Sequence, residues 1–290
     1  LVGSEMCIRD RYDVIHLDIQ WCLEPAGKAE NLISYISEKT ISELKECYPG
    51  VLKSDIVSLP EALAIINAET GNKFIVIIDE WDVLIRDEAA NKNVQEDYIN
   101  FLRGMFKGTE PTKYIQLAYL TGILPMKKEK TQSALNNFDE FTMLSPSNLA
   151  QYVGFTEDEV RGLAREYNQD FDKVKMWYDG YLLRDYQVYN PRAVVSVMLK
   201  GEFKSYWSET ASYEAIVPLI NMNYDGLKTA IIAMISGAEV KVNTGTFKND
   251  TLNIKSKDDV LTYMIHLGYL AYDQINSCLL YTSPSPRDAH

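Results

Sequence analysis

Cysteine, histidine and long apolar runs are all scarce in this sequence, and each shortage excludes a class of protein. The chain has four cysteines and three histidines, too few for a disulfide-stapled secreted domain or a histidine-rich zinc site. No apolar run approaches the length that spans a bilayer, and there is no convincing signal peptide. We therefore expect a cytoplasmic protein, not a membrane protein.

Positive charge is also in short supply. Lysine and arginine number 29 against 41 aspartates and glutamates, which gives a formal net charge of −12. An acidic chain lacks broad electrostatic attraction for nucleic acid or anionic membranes, although a local basic patch stays open. With 46% hydrophobic and 24% charged residues, the composition is that of an ordinary globular protein.

Both ends of the chain resemble foreign sequence. Residues 1–11, LVGSEMCIRDR, and residues 277–290, SCLLYTSPSPRDAH, are similar to translated library-adapter sequence, and we exclude them from fold reasoning. The alternative is a pair of genuine disordered termini. Two cysteines remain outside these segments, Cys22 and Cys47, too far apart for a CxxC motif. We expect both to be buried thiols.

One stretch stands out among the residues that are present: FIVIIDEWD, residues 74–82. Its five consecutive β-branched or aromatic residues do not alternate with polar ones, which predicts a central strand of a parallel sheet, covered on both faces. Acids follow at the carboxyl end, where ligands bind in open α/β sheets.

An apolar strand followed by Asp-Glu resembles the Walker B element of P-loop NTPases. On that interpretation Asp79 helps hold a magnesium ion, directly or through water, and Glu80 orients or deprotonates the water that attacks the terminal phosphate. The plain alternative is a buried strand whose acids turn into a loop or cap the next helix.

The pattern around this stretch predicts a βαβ unit with a parallel sheet. It contains a strand over residues 14–19 that ends in a polar turn, an amphipathic helix over 28–48, and a helix from an N-cap at Ser58 to Glu69, with Glu61 at capping-box spacing.

A further strand is predicted over residues 112–122, closing on Thr121 and Gly122. Many P-loop ATPases place a hydroxyl at the end of the strand beside Walker B, where this sensor-1 residue contacts the terminal phosphate or the attacking water. Thr121 is the candidate here, although Thr-Gly is also a common exit from a strand. We expect one more short strand over residues 138–144.

The later part of the chain is predicted to be mainly helical. Its expected elements are a helix capped by Thr156, helices over 171–177, 191–200, 209–222 and 224–236, a hairpin over 239–249, and a helix running into a strand over 255–273.

With these elements placed, the chain is similar to the AAA-ATPase-like family of bacterial and archaeal proteins. In that family a P-loop NTPase core usually precedes a nuclease-like domain of the restriction-endonuclease type. The segments that carry the resemblance run in family order: IIDEWD at 77–82, LTGILPMKK at 120–128, ALNNFDEFTML at 134–144, GFTEDEV at 154–160, MWYDGY at 176–181, VYNP at 188–191, YWSET at 206–210 and LGYLAYD at 267–273.

The resemblance implies an α/β fold, with three regions between the two adapter-like segments. These are a truncated P-loop NTPase (AAA+-like) three-layer core with a parallel sheet at 12–145, a mostly helical lid at 146–200, and a small α+β winged-helix-like region at 201–276. Within MWYDGY, we expect Trp177 and Tyr181 to fill a helical core and Gly180 to adopt a positive φ.

The resemblance also implies an ATPase site. ATP and magnesium would be the cofactors, with Asp79 at the metal and Glu80 and Thr121 as catalytic residues. A nuclease-like domain in the same chain would be the partner in the intact protein.

One family feature is missing. No GxxxxGK[ST] phosphate loop occurs anywhere in the sequence, and that loop would supply the amides, lysine and hydroxyl that hold phosphates and magnesium. We therefore expect a fragment of an ATPase, cut before residue 12 and after Asp273 and inactive alone. The alternative is a non-enzymatic regulatory or binding module on a degenerate NTPase fold that controls an attached nuclease.

Overall fold

The chain divides into two compact units, one ending at Asp139 and the other beginning at Glu140. In a computed structural model, the residues described are 12–86, 91–123, 125, 135–206, 212–221, 224–247, 254–273 and 278–281.

The first unit is a parallel three-stranded sheet with helices packed against it. Its elements in chain order are β1 (Asp13–Asp18), α1 (Ile19–Ala26), a 3₁₀ turn (Ala29–Asn31), α2 (Leu32–Cys47), α3 (Leu59–Thr70), β2 (Phe74–Asp79), α4 (Val83–Arg86), α5 (Lys92–Phe106), α6 (Pro111–Tyr114) and β3 (Ile115–Leu120).

The central strand is β2, which pairs in parallel with β1 on one side and with β3 on the other. Phe74 and Val76 are fully buried, and Ile75, which points to the opposite face, is 9% exposed. Burial on both faces is what a non-alternating apolar run requires, so the predicted central strand is confirmed.

The helices bury apolar stripes against this sheet. The most enclosed side chains include Ile36, Leu63, Ile66, Tyr98 and Leu102, each 1% exposed or less. These residues and the sheet form one continuous core. A mixed α/β fold with a parallel sheet is therefore confirmed.

Helix α1 is one element that the sequence did not predict. Asp18 is its N-cap and accepts a hydrogen bond from the Trp21 amide at 2.8 Å. The sequence predicts a polar turn after β1, but these residues form the first turn of a helix. The helix contains Pro25 near its end.

Three further predictions about the first unit and its boundary are wrong. No strand forms over residues 138–144, because Thr142 and Ser145 exchange backbone hydrogen bonds in a tight local turn. The Ser58 side chain makes no capping bond to α3, so the capping box is absent there. Cys47 is exposed at the last position of α2, and of the two cysteines only Cys22 is buried.

The second unit combines helices with two small antiparallel sheets, ordered β4-β6-β5 and β7-β9-β8. Its elements are a 3₁₀ helix (Ser147–Tyr152), β4 (Phe155–Thr156), α7 (Glu157–Glu166), α8 (Phe171–Tyr178), β5 (Tyr181–Leu183), β6 (Tyr186–Tyr189), α9 (Pro191–Lys200), α10 (Ser212–Asn221), α11 (Leu227–Ile235), β7 (Val240–Lys241), α12 (Lys257–His266), β8 (Leu270–Asp273) and β9 (Cys278–Tyr281).

Some predictions for this unit hold and others do not. The capping box at Thr156 forms. Of the predicted hairpin over 239–249, residues 239–247 are described, and within them β7 pairs with β9 and not with another strand of the segment. Strand β9 lies in the segment whose origin is predicted to be foreign, and that origin stays a prediction.

In the MWYDGY segment, Tyr178 is buried in the core at 3% exposed, and Trp177 is partly buried and packs against the same core. Tyr181 is partly buried against a smaller cluster. Gly180 does not have a positive φ. A Cβ there would lie 3.1 Å from the carbonyl oxygen of Val188, so this glycine permits the close approach of β6. Within the described ranges, every helix is too short or too polar to cross a bilayer.

Candidate functional site

The register of the parallel sheet brings polar residues from three strands to one edge. Asp18 at the end of β1 pairs with Asp79 at the end of β2, and Ile78 pairs with Leu120, the last residue of β3. Thr121 follows directly. Since the carboxyl ends of parallel strands lie at the same edge, these three residues become neighbours although they are far apart in sequence.

Thr121 and Asp79 are in direct contact, because the Thr121 hydroxyl donates a hydrogen bond to Asp79 Oδ1. Backbone bonds hold the two strand exits together: the Thr121 amide donates to the Ile78 carbonyl and the Trp81 amide donates to the Thr121 carbonyl, both at 2.9 Å. The predicted metal residue and the predicted sensor residue therefore occupy one corner of the sheet.

Asp79 itself is exposed at the tip of β2. Its Oδ1 also accepts from the Glu80 amide at 3.1 Å. No group of three or more histidine, cysteine, aspartate or glutamate side chains arranged to hold a metal occurs among the described residues. Magnesium does not need such a cage, because it usually keeps several waters and shares one or two carboxylates with substrate phosphates. Asp79 and the Thr121 hydroxyl fit a site of that kind.

Glu80 turns the chain sharply away from the strand. Its φ is +53°, in the left-handed region that a residue with a Cβ rarely enters. Its side chain forms an ion pair with Arg86, with Nη2 2.5 Å from Oε2. Burial raises the pKa of Glu80; the Arg86 guanidinium opposes that rise, and Asp82, Asp79 and Asp18 add to it.

Asp82 has a structural position that the sequence did not reveal. Its side chain is 2% exposed, and its two oxygens lie 3.3 and 3.2 Å from the amide nitrogen of Ile123, just beyond Thr121. Arg86 Nε lies 3.1 Å from Asp82 Oδ2, an ion pair without hydrogen-bond alignment. Asp82 therefore links the exit of β2 to the exit of β3.

Gly122 permits this link. A Cβ at that position would lie 2.6 Å from Asp82 Oδ1 and 2.8 Å from Cδ1 of Trp81. The glycine of the Thr-Gly pair that ends the predicted strand is thus required for packing.

Asp18 and Arg86 are the other residues near this corner that sequence reasoning missed. The signal for Asp18 was available, because a polar residue ends a strand predicted to lie in the same parallel sheet. The signal for Arg86 was its spacing of four residues from Asp82, which places the two side chains on the same face of a helical turn.

Residues 3–131 match the family model AAA-ATPase-like, described as a predicted AAA-ATPase. The part of the chain that is similar to this family is less than half of its length. The match spans β1 to β3 and includes Asp79, Glu80 and Thr121. It does not extend to a nuclease-like domain, which stays a prediction.

One curated relative is an uncharacterized protein of the vnfD 5′ region of Azotobacter chroococcum mcd 1. It is 29% identical over 157 residues, which are 53% of this chain and 30% of the relative. The chain therefore matches less than a third of that protein's length. No solved structure matches the chain significantly.

Proposed function

We propose that this chain is the part of an ATP-binding, ATP-hydrolysing AAA-like ATPase that carries the metal and water side of the active site. The observation that supports this most is the meeting of Asp79, Glu80 and Thr121 at the carboxyl ends of adjacent parallel strands. Ligands bind at that edge in open α/β sheets. The segment also lies within the match to the AAA-ATPase-like family.

Each residue has a distinct task in this proposal. Magnesium held by Asp79, directly or through water, would neutralise charge on the phosphates. The Thr121 hydroxyl, which now donates to Asp79, would reach the terminal phosphate or the attacking water. Glu80, the next residue after Asp79, would orient that water and accept its proton.

The phosphate-binding loop would come from a segment outside this chain, and β3 has a free edge for it. In the described part of the sheet β3 pairs only with β2. Leu117 and Tyr119 on one of its faces are 55% and 49% exposed, although parallel sheets normally cover both faces. A further parallel strand along this edge would end beside Thr121, and its loop would then face Asp79.

The first experiment uses the chain as it is. Labelled ATP is titrated into residues 12–276 with and without magnesium, and we expect no micromolar binding because the phosphate loop is missing. Micromolar, magnesium-dependent binding would contradict this part of the proposal.

The second experiment uses the longer protein, recovered by sequencing the reading frame upstream of residue 12. We expect a glycine-rich GK[ST] loop there. Glu80→Gln should lower ATP turnover by about 100-fold or more, the usual contribution of a general base, while ATP binding is retained. Glu110→Gln is the control, since Glu110 is an exposed glutamate that pairs with Lys113 on the surface. Equal turnover in both variants would overturn the role of Glu80.

A non-enzymatic module that controls an attached nuclease is the second candidate. The pairing of Glu80 with Arg86 favours it, because a carboxylate oxygen that binds a guanidinium is not free to bind a water. This candidate predicts that the longer protein also lacks a working phosphate loop and does not hydrolyse ATP, whereas Glu80→Gln leaves nuclease control intact.

A further inference from the structure

The ion pairs around Glu80 form a short network that joins the exits of β2 and β3. Arg86, the last residue of α4, places Nη2 2.5 Å from Glu80 Oε2 and Nε 3.1 Å from Asp82 Oδ2. Asp82 in turn accepts from the amide of Ile123. One guanidinium therefore connects the exposed carboxylate of Glu80 to a buried one that is fixed to the neighbouring strand exit.

This network differs from an ordinary surface ion pair, which contributes little because both side chains stay hydrated and mobile. The side chains of Arg86 and Glu80 are 26% and 38% exposed, and that of Asp82 is 2% exposed. A buried carboxylate that loses its cation is costly. The guanidinium is planar, so the ion pair with Asp82 restrains the plane in which Nη2 reaches Glu80.

The backbone restrains the same network. The amides of Ile85 and Arg86 both donate to the carbonyl of Asp82 at 2.9 Å, and the amide of Val83 donates to the carbonyl of Glu80 at 3.1 Å. These bonds close a compact turn from Glu80 to Arg86. Within that turn the left-handed backbone conformation of Glu80 sets the direction of its Cα–Cβ bond. The ion pair with Arg86 sets the position of its carboxylate.

We propose that Arg86, anchored by Asp82, is a positioning residue that fixes the Glu80 carboxylate at the exit of β2, close to Asp79. The catalytic meaning of this position rests on the proposed function, whereas the positioning itself does not. Because Asp82 also holds Ile123, the same anchor sets the spacing between Glu80 and the strand exit that carries Thr121.

The positioning is tested in the 290-residue chain without ATP. The chain is labelled with ¹³C-glutamate, the Glu80 signal is assigned by its loss in Glu80→Gln, and side-chain order is measured by NMR relaxation. In wild type, Glu80 should be more ordered than an exposed glutamate such as Glu69. In Arg86→Gln its order should fall to that of Glu69. The control is Arg103→Gln, which removes an exposed arginine that bonds to Asn100 on the same helix.

Unchanged order of Glu80 in a folded Arg86→Gln chain would overturn the proposal. If that variant fails to fold, Arg86→Lys decides, since lysine keeps the charge but lacks the fork. We then expect Glu80 to lose part of its order in the lysine variant. Wild-type order in that variant would equally overturn the positioning role.

Turnover in the longer protein supplies the second readout. Arg86→Gln should lower kcat by about 100-fold, the scale of a small misplacement of a catalytic group, and change KM by less than about twofold. Arg86→Lys should be intermediate, and Arg103→Gln should match wild type. A kcat of Arg86→Gln equal to that of wild type would show that the ion pairs of Arg86 do not contribute to turnover. Absence of turnover in the wild-type protein would refute the proposed function, and the NMR result would still decide the positioning.

Discussion

At the amino end of the parallel sheet the half-buried Asp13 accepts hydrogen bonds from Tyr48 and Asn72, whereas at the carboxyl end Asp79 faces solvent beside Thr121 and Glu80. The Tyr48 hydroxyl donates to Asp13, and Asn72 Nδ2 donates to Tyr48 Oη at 2.8 Å. Both ends thus carry an acid with hydrogen-bond donors. Asp13 belongs to a local hydrogen-bond network with Tyr48 and Asn72. Asp79 is exposed, so a ligand can reach it.

The contrast shows that a polar residue at a strand end is not by itself a sign of function. At the carboxyl end two other residues, Asp82 and Gly122, make the contacts that hold the strand exits together. This separation leaves the Asp79 carboxylate exposed to solvent. Substitutions at both ends test whether structural and functional roles are divided in this way.

The same substitution at the two ends should have unequal costs. Asp82→Asn removes the charge that pairs with Arg86 in a buried site, and we expect a loss of about 3 kcal/mol in unfolding free energy. Asp13→Asn keeps an oxygen that accepts from Tyr48 and should cost about 1 kcal/mol or less. Urea unfolding of the 290-residue chain, followed by circular dichroism, measures both. Equal losses would show that the two ends are built alike.

Two glycine substitutions sharpen the same point. Gly122→Ala places a methyl group against Asp82 and Trp81 and should destabilise the chain by about 2 kcal/mol. Gly104 lies inside α5, where an added Cβ would meet no atom within 4 Å, so Gly104→Ala should stabilise by about 0.5–1 kcal/mol. Opposite signs in urea unfolding are the expected result. A neutral Gly122→Ala would mean that the packing around Asp82 relaxes freely.

Tyr48→Phe tests the closed network at the amino end. We expect a loss of about 1 kcal/mol at neutral pH from the missing hydrogen bonds. Burial and the hydrogen bond to Asp13 raise the pKa of Tyr48 from 10.0 to about 12. The protonated hydroxyl therefore contributes fully below pH 10, and its contribution is lost as the pH rises towards 12.

The difference in unfolding free energy between wild type and Tyr48→Phe should accordingly shrink between pH 10 and pH 12. A difference that is constant over this range would show that the Tyr48 hydroxyl has no preferential contact in the folded chain.

The smallest effect is expected at Asp79. Asparagine still accepts from Thr121 and relieves repulsion from the neighbouring Asp18 and Glu80, so Asp79→Asn should raise unfolding free energy by less than about 1 kcal/mol. Functional sites commonly carry such a cost in stability. A loss as large as that of Asp82→Asn would make Asp79 a structural residue and remove the contrast between the two ends.

The strand-end residues could be predicted because their signals are local. An apolar run without alternation indicates a central parallel strand, and the rule that parallel strands end at one edge brings Asp79, Glu80 and Thr121 together. The structure confirms the strand and shows the contact between Thr121 and Asp79. Their roles in ATP hydrolysis stay predictions.

The residues that sequence reasoning missed act through distant contacts. Asp82 binds a backbone amide 41 positions away, and Gly122 matters only because Asp82 and Trp81 approach it. Neither contact leaves a periodic pattern in the sequence. The strand predicted over 138–144 failed for the opposite reason: its local pattern fits a strand, but Thr142 and Ser145 bond to each other, and no strand of the described residues pairs with them.

The half-exposed face of β3 has a practical consequence for work with this chain. An edge strand that shows Leu117 and Tyr119 to water can act as a template for pairing with another copy. The isolated chain should therefore associate as its concentration rises. A solubilising change on that strand, such as Leu117→Lys, would be the first step towards samples suited to crystallisation or NMR.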